Sequence, residues 1–493
     1  EVQLTSEDLV TYYVSRIEQF DIDKLYSVME LNPEALDITA KLDAERLAGA
    51  SRGAMHGIPV LLKDNIATGD QMHTTAGAYA LKDWQADRDA FLVQQLRDAG
   101  AIILGKANLS EWANYTDPSM PSGFSTLGGQ TRHPYGPFDP LGSSTGSAVS
   151  VAANLTAVSV GTETQGSISQ PAASNGVVAI KTSRGLVIRD HIIPLVDWMD
   201  VPGPIGRSVT DVAVLLSAMT GVDENDPATA DAAELAETDF SQFATLDAAQ
   251  GKRIGIFITS DEAIESLLSA FELAEDAKEE QRQSFAAAND AWREIGAQFA
   301  AQGVEVIEID NEELPLSPDP TQVLEYGFQD SVNRFLEGLG SDAPVSDLAA
   351  VTAINDEDPA NRVPYGQGYI TGSVNTAITA DEYAALVEEN QETAATGLRS
   401  LFDTYELDAI VVSSLSQSYA AAGYPAITIP NGLDSDGAPS GVILVGDFLG
   451  EADLIAVAYA FEQSAQGRVE PDLEATLAEI ELVVAGDESG GQE

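Results

Sequence analysis

Residues 57–64 read Gly-Ile-Pro-Val-Leu-Leu-Lys-Asp. Ile58–Leu62 is a short apolar run of strand length, opened by a glycine and closed by the first charged residues. Ala90–Ala99 follows as an amphipathic helix, Gly100 ends it, and Ala101–Leu104 is a second apolar strand. Strand, helix and strand joined through a glycine predict an α/β core.

Upstream, Leu9, Val10, Tyr13, Val14 and Ile17 share one face of a 3.6-residue period after Thr5–Asp8, a capping region. Asn32-Pro33 is a cap-plus-first-turn start for a second helix reaching about Ala50. Downstream, Gly128–Gly185 is rich in Gly, Ser and Thr, yet is interleaved with the apolar segments Ala148–Ala153, Ala157–Val160 and Val177–Ile180. A flexible linker would lack those segments; small residues at this density imply backbone packed closely on backbone or on a ligand.

Ser208-Val-Thr-Asp211 resembles a capping box and opens a helix to Met219. Residues 222–250 are acidic, alanine-rich and expected at the surface. Arg253–Ile258 and Val304–Ile309 read as strands around a long helix near 277–302, and 310–405 as largely helical and polar, with Asp356–Gly368 as a loop. Ala409–Val412, Ala426–Ile429 and Val442–Val445 read as strands, and Glu451–Gln463 as a helix. The segment Asp434-Ser-Asp-Gly437 lacks the first Asp and the terminal Glu of a calcium loop and reads as a hairpin turn. A disordered acidic tail is expected from Gly486.

Composition bounds the chemistry. Across 493 residues, 24 Lys and Arg face 79 Asp and Glu, a net charge of −55. A phosphate-backbone binder needs a basic footprint, so nucleic acid is excluded as a partner, and an anionic membrane surface likewise. The 44% hydrophobic content argues for a buried core and against disorder. Absence of cysteine removes disulfides, thiol nucleophiles and iron–sulfur or zinc-ribbon sites. The four histidines, His56, His73, His133 and His191, form no metal-ligand spacing, so no metal is expected. No apolar run is long enough for a membrane span. A chain opening with Glu-Val-Gln and lacking a leader reads as a processed mature form or a trimmed chain. This composition suits an extracellular or periplasmic protein, or a cytoplasmic one in a salt-adapted organism.

Two constellations carry nucleophilic chemistry. Gly142-Ser-Ser-Thr-Gly146 matches G-x-S-x-G, but Pro134–Pro140 holds three prolines and cannot be the strand such an elbow needs, and only His191 lies downstream. The second needs no histidine: Lys63 ends a strand, and two serine-rich turns follow at Gly142–Ser147 and Gly161–Ser169. A neutral lysine can act as base for a hydroxyl nucleophile, which requires its pKa to fall by roughly three units, about 4 kcal/mol. From these residues alone Lys63 is either such a base or a solvated lysine beside two loops.

The segments Gly57–Asp64, Gly105-Lys-Ala-Asn-Leu-Ser-Glu-Trp-Ala113, Gly142-Ser-Ser-Thr-Gly-Ser-Ala148 and Gly161-Thr-Glu-Thr-Gln-Gly-Ser-Ile-Ser-Gln-Pro-Ala172 strongly resemble the amidase signature family, with Val177–Lys181 and Ala422–Ala426 extending the match. The likeness covers roughly 5–220 and 405–466 and is greatest to bacterial peptide amidases. It implies one catalytic α/β/α domain over 1–470, a mixed sheet flanked by helices, with its core in 51–220 and 405–466. The divergent region 221–404 is then a substrate-pocket wall, and 471–493 an acidic C-terminal helix and tail.

The resemblance further implies a cofactor-free Ser–cis-Ser–Lys triad: Ser167 as nucleophile, Ser143 as the bridging cis-peptide serine, Lys63 as base. The backbone N–H groups of Gln165, Gly166 and Ser167, with Thr164, would form an oxyanion hole, and Ser144, Gln165 and Trp112 would contact substrate. Three positions depart from the family pattern: Gln165 stands where Gly is common, Ser169 where Arg is, and Thr182 where Pro is.

The implied substrates are linear amides, peptide C-terminal amides or small aryl and alkyl amides, with carbamates, esters and nylon-type oligomers as variants. The amidotransferase component of a tRNA-dependent complex, and a non-catalytic binding protein, are the other classes. A monomer or homodimer is expected. His56 and Lys181 read as structural, and Asn108, Asn114 and Asn154 as chance glycosylation motifs. Trp112, Tyr115, Phe124, Trp198 and Tyr326 are either an acyl-pocket lining or core.

Overall fold

The computed structural model describes residues 4–480 apart from 224, 271–273, 316–317 and 413–416; the tail expected from Gly486 lies outside them. In chain order the strands are β1 (Val28–Leu31), β2 (Pro59–Lys63), β3 (Ile102–Ala107), the small hairpin β4 (Phe124–Ser125) and β5 (Gly129–Gln130), β6 (Val158–Glu163), β7 (Val178–Lys181) and β8 (Val201–Gly206). They continue with β9 (Arg253–Ile258), β10 (Glu305–Asp310), β11 (Ala409–Val412), β12 (Ala426–Leu433) and β13 (Pro439–Gly446). All but β4 and β5 join one mixed sheet in the order β1-β3-β2-β6-β8-β7-β12-β13-β11-β9-β10. β3, β2 and β6 run parallel, the centre from β6 to β11 is antiparallel, and β11, β9 and β10 are parallel again.

Helices cover both faces, giving the α/β/α layering. Along β2, Val60 and Leu62 enter a large cluster beneath the helices Phe91–Asp98, Val209–Ser217 and Glu451–Ala465. Leu61 points the other way, packing with Val149 and with Val10 and Ile17 of the first helix. Because side chains alternate along a strand, Lys63 projects to the face of Leu61, where the wholly buried helix Thr145–Ala152 lies. Leu62 pairs with Val160 across the parallel β2–β6 ladder, so Lys63 and Glu163 end on the same edge of the sheet. Crevices beyond the carboxyl ends of parallel strands are where α/β folds place ligands.

Several expected boundaries move. The capping region at Thr5–Asp8 is a capping box that opens the helix Ser6–Phe20. The second helix begins only at Ala35, because Asn32 is held by β3: its amide donates to the Leu104 carbonyl and its Nδ2 to that of Ile103. Strand β8 was hidden by Pro202 and Pro204, which argue against a central strand; it is accommodated because its ladder to β7 engages only Ile205 and Gly206, beyond both prolines. Part of 222–250 is core: Phe240 and Ala249 are fully buried.

The middle region is not only a wall, since β9 and β10 complete the sheet. Its helices Thr321–Leu339 and Gly368–Val374 do pack on Trp112, Tyr115 and Leu195 over the sheet edge. Beyond residue 470, Leu473 and Leu477 pack into the cluster of the first helix, so this segment belongs to the same body. Among the described residues no helix is long and apolar enough to cross a membrane.

Candidate active site

Lys63 has no exposed surface. Its Nζ donates to Ser143 Oγ at 2.7 Å and to the Thr162 carbonyl at 3.0 Å. Burial brings its pKa down from 10.5 to about 7, while the carboxylates of Asp200 and Glu163 pull the other way. A lysine with that pKa is substantially neutral near pH 7 and able to take a proton.

The Gly142–Ser143 peptide bond is cis, and Ser143 is fully buried. Its carbonyl accepts from the Ser110 amide. A side chain at Gly142 would overlap Ser110 Oγ and Thr145 Oγ1, so glycine is dictated by close packing. Ser144 stitches the loop to β6: its Oγ donates to the Thr162 carbonyl at 3.0 Å and accepts from the Thr162 amide at 3.1 Å. Its own amide donates to the Ser167 carbonyl at 3.0 Å. Ser144 is thus sealed inside, and its hydroxyl does not reach the substrate space predicted for it.

Ser167 borders a cavity of about 290 Å³ with Gly142, Thr164, Gln165 and Gln170. Its hydroxyl makes no hydrogen bond among the described residues, so Lys63–Ser143 is a closed contact and Ser143–Ser167 an open one. Catalytic hydrogen bonds commonly tighten only in the complex with substrate. Gly166 adopts φ +72°, a conformation glycine takes without penalty. The amides of Gly166 and Ser167 have no acceptor among the described residues. Thr164 turns its hydroxyl away from the cavity centre, donating to Asp200 Oδ1 at 2.5 Å. Asp200 is buried, which pushes its carboxyl up to about 7, and its other oxygen accepts from the Leu195 and Val196 amides.

The opposite wall comes from Ala113, Asn114 and Tyr115 and, from the middle region, Thr321, Leu324 and Tyr369. Tyr115 stacks on Tyr369 with ring centres 4.7 Å apart and planes 9° from parallel. Trp112, expected at the substrate, is packed edge-on against Phe328 in the apolar cluster behind the wall. Trp112, Ala113 and Asn114 all have positive φ, and this left-handed run brings the following residues to the cavity and turns the indole away.

Of the other aromatic candidates only Tyr115 borders the cavity. Phe124 meets Tyr365, Tyr326 stacks on Tyr383, and Trp198 packs at the edge of two core clusters. Among the described residues His56 bonds only backbone, through Leu42 and Arg52. Lys181 Nζ donates to the Tyr424 carbonyl at 2.7 Å. Asp434 Oδ1 accepts from the amides of Asp436 and Ala438 in the β12–β13 turn. Among the described residues no three His, Asp or Glu side chains gather as a metal-holding group.

Residues 8–282 match the Amidase family, and a probable amidase of Arabidopsis thaliana is 38% identical over 483 residues, 96% of this chain and 89% of its own. The chain belongs to the amidase signature family. A solved relative, the native peptide amidase of Stenotrophomonas maltophilia, aligns with a TM-score of 0.83 at 36% identity over 96% of each chain. At lower identity, 31% over 96% of this chain and 97% of its own, stands a glutamyl-tRNA(Gln) amidotransferase subunit from an Exiguobacterium species. The chain is therefore an amidase-signature hydrolase, and Thr321, Leu324 and Tyr369 of its middle region line one side of the described cavity.

Proposed function

We propose that this amidase hydrolyses uncharged linear amides, with peptide C-terminal amides and small aryl or alkyl amides as its substrate class, through an acyl-enzyme on Ser167. Neutral Lys63 takes the Ser143 proton, Ser143 takes that of Ser167, and Ser167 Oγ attacks the carbonyl. The amides of Gln165, Gly166 and Ser167 stabilise the oxyanion. The proton returns through Ser143 to the leaving nitrogen, the C–N bond breaks, and water then releases the acid by the same relay.

The observation that carries this reading is the 2.7 Å contact between Ser143 and a fully buried Lys63 whose pKa burial lowers to about 7. Support for uncharged substrates comes from the cavity: Asn114, Gln165, Gln170 and Thr321 supply polar groups, Tyr115, Leu195, Leu324 and Tyr369 apolar ones, and no charged side chain lines it among the described residues. The similarity to the peptide amidase of Stenotrophomonas maltophilia points the same way. The test is turnover of a primary amide by Ser167→Ala, Lys63→Ala and Ser143→Ala. Loss of at least about 1000-fold in the first two, with Ser143→Ala somewhat less impaired, is expected; near-wild-type rates would refute the assignment. A matched anilide, primary amide, ester and carbamate sharing one acyl group then rank the leaving groups.

The similarity to a glutamyl-tRNA(Gln) amidotransferase favours a second reading, glutamine hydrolysis coupled to a partner enzyme. Glutamine would bring an ammonium and a carboxylate into a cavity with no charged partner for either among the described residues, a poor match. Release of ammonia from glutamine at rates rivalling those for neutral amides would reverse that preference.

A further inference from the structure

Glu163, the last residue of β6, is buried, and its carboxylate reaches forward over the turn that follows. One oxygen, Oε2, accepts from the amides of Ile168 at 2.7 Å and Ser169 at 2.8 Å and from Ser169 Oγ at 3.0 Å. The other, Oε1, accepts from the Tyr419 hydroxyl at 3.0 Å. The carboxylate therefore closes a ring around residues 164–167. Within it the Gly166 carbonyl accepts from the Gln170 amide and the Ser167 carbonyl from the Ser144 amide, which leaves the Gly166 and Ser167 amides for the cavity.

The helix that follows, Ser169–Ser174, has only six residues, and its first N–H groups need acceptors from outside the helix. Glu163 provides them as charge-assisted bonds, stronger than neutral ones. Tyr419 is itself fully buried in the helix Gln417–Ala422, with Lys181 Nζ 5.7 Å from its ring centre. The brace thus ties the Ser167 turn to the second half of the sheet.

We propose that Glu163 is a positioning residue of the hydrolysis, fixing the 164–167 turn so that Ser167 and its neighbouring amides face the cavity, and that Tyr419 holds Glu163 in place. This rests on the acyl-enzyme reading above. Glu163 has a second influence, because it and Asp200 are the anions that favour protonated Lys63. On its far side it faces Lys181 and Tyr419. Removing its charge while keeping its shape lowers the Lys63 pKa as it loosens the turn, so turnover falls and the acid limb moves to lower pH together. A merely structural defect would reduce the folded fraction and leave the limb where it was.

The test uses wild type, Glu163→Gln and Tyr419→Phe with one primary amide, measuring kcat and KM from about pH 5 to pH 9, alongside labelling of Ser167 by phenylmethanesulfonyl fluoride. Glu163→Gln is expected to lower kcat about 10- to 100-fold, with KM changed less than about threefold and the acid limb displaced to lower pH. Tyr419→Phe, which removes one hydroxyl and keeps the ring, should lower kcat about 3- to 10-fold with the limb near its wild-type position. Wild-type kcat in both variants overturns the proposal, as does a Glu163→Gln loss that tracks only the folded fraction with an unmoved limb. Failure of the wild-type enzyme to label at Ser167 instead overturns the acyl-enzyme reading itself, and the two failures are told apart on the same samples.

Discussion

Lys63 Nζ and Ser143 Oγ lie 2.7 Å apart with neither side chain exposed, so the proposed base sits within the protein while Ser167, the proposed nucleophile, borders the cavity. Burial sets the base. A lysine at the end of an apolar strand loses its hydration, and the carboxylates of Asp200 and Glu163 restore only part of what is lost. The balance leaves Lys63 near neutrality, where it exchanges protons with a hydroxyl at little cost.

This balance should be visible in stability. The Lys63 pKa is about 7 in the folded chain and near 10.4 when unfolded. The folded state therefore binds fewer protons than the unfolded state between these values, and stability rises with pH across that window. The penalty is absent above the unfolded pKa and fully present below the folded one. Lys63→Met removes this dependence, so Tm of the wild type minus Tm of the variant should climb from about pH 7 to pH 10 and level off below 7. A constant difference would mean that Lys63 keeps its proton in the fold.

Asp200 should tune the same base from the other side of Thr164. Asp200→Asn retains an acceptor for the Thr164 hydroxyl but removes a carboxylate that favours protonated Lys63. The acid limb of kcat/KM is expected to move to lower pH. Because the Asp200 carboxyl is itself held up at about 7, the wild-type limb should also be spread over two coupled titrations and narrow to one in the variant. A rate–pH profile of the two enzymes on one amide decides it.

Ser144 differs from Ser143, the proposed proton relay, in that its hydroxyl is spent on the Thr162 backbone. Ser144→Ala strips the Thr162 amide of its acceptor inside the protein, a loss of about 1–3 kcal/mol in unfolding free energy. KM should hardly change, because the hydroxyl does not meet the cavity. Denaturant unfolding together with steady-state kinetics checks both; a raised KM with unchanged stability would return Ser144 to substrate contact.

Why the two adjacent serines are hard to separate by sequence is plain from Gly142–Gly146. Composition marks the loop as tightly packed, yet which hydroxyl faces Lys63 depends on the backbone path around Ser143. Lys63 was only partly legible: the apolar strand before it argues for burial, but the residues alone left a solvated lysine open, and the family resemblance chose between them. Strand β8 was not legible, since Pro202 and Pro204 speak against it locally and only the limited pairing with β7 makes room for them. Trp112 named the right segment and the wrong residue: three successive positive φ angles carry Asn114 and Tyr115 to the cavity. The partner of Tyr115, Tyr369, is some 250 residues away, a pairing that no local periodicity contains.

The net charge of −55 bears on the base as well. Three of the eight lysines, Lys63, Lys106 and Lys181, are fully buried, so few cations remain at the surface to offset the acidic shell. The long-range field of that shell favours protonated Lys63, opposing burial. Added salt shortens the reach of the field, from about 30 Å at 0.01 M to about 3 Å at 1 M, whereas the buried neighbours Asp200 and Glu163 act at distances that salt screens little. Raising salt should therefore lower the Lys63 pKa and carry the acid limb to lower pH, with the plateau rate above the limb little changed. Rate–pH profiles for one neutral amide at low and high salt measure this displacement. A limb that stays fixed would show that burial and the two neighbouring carboxylates set the base unaided, and that the acidic shell does not reach the site.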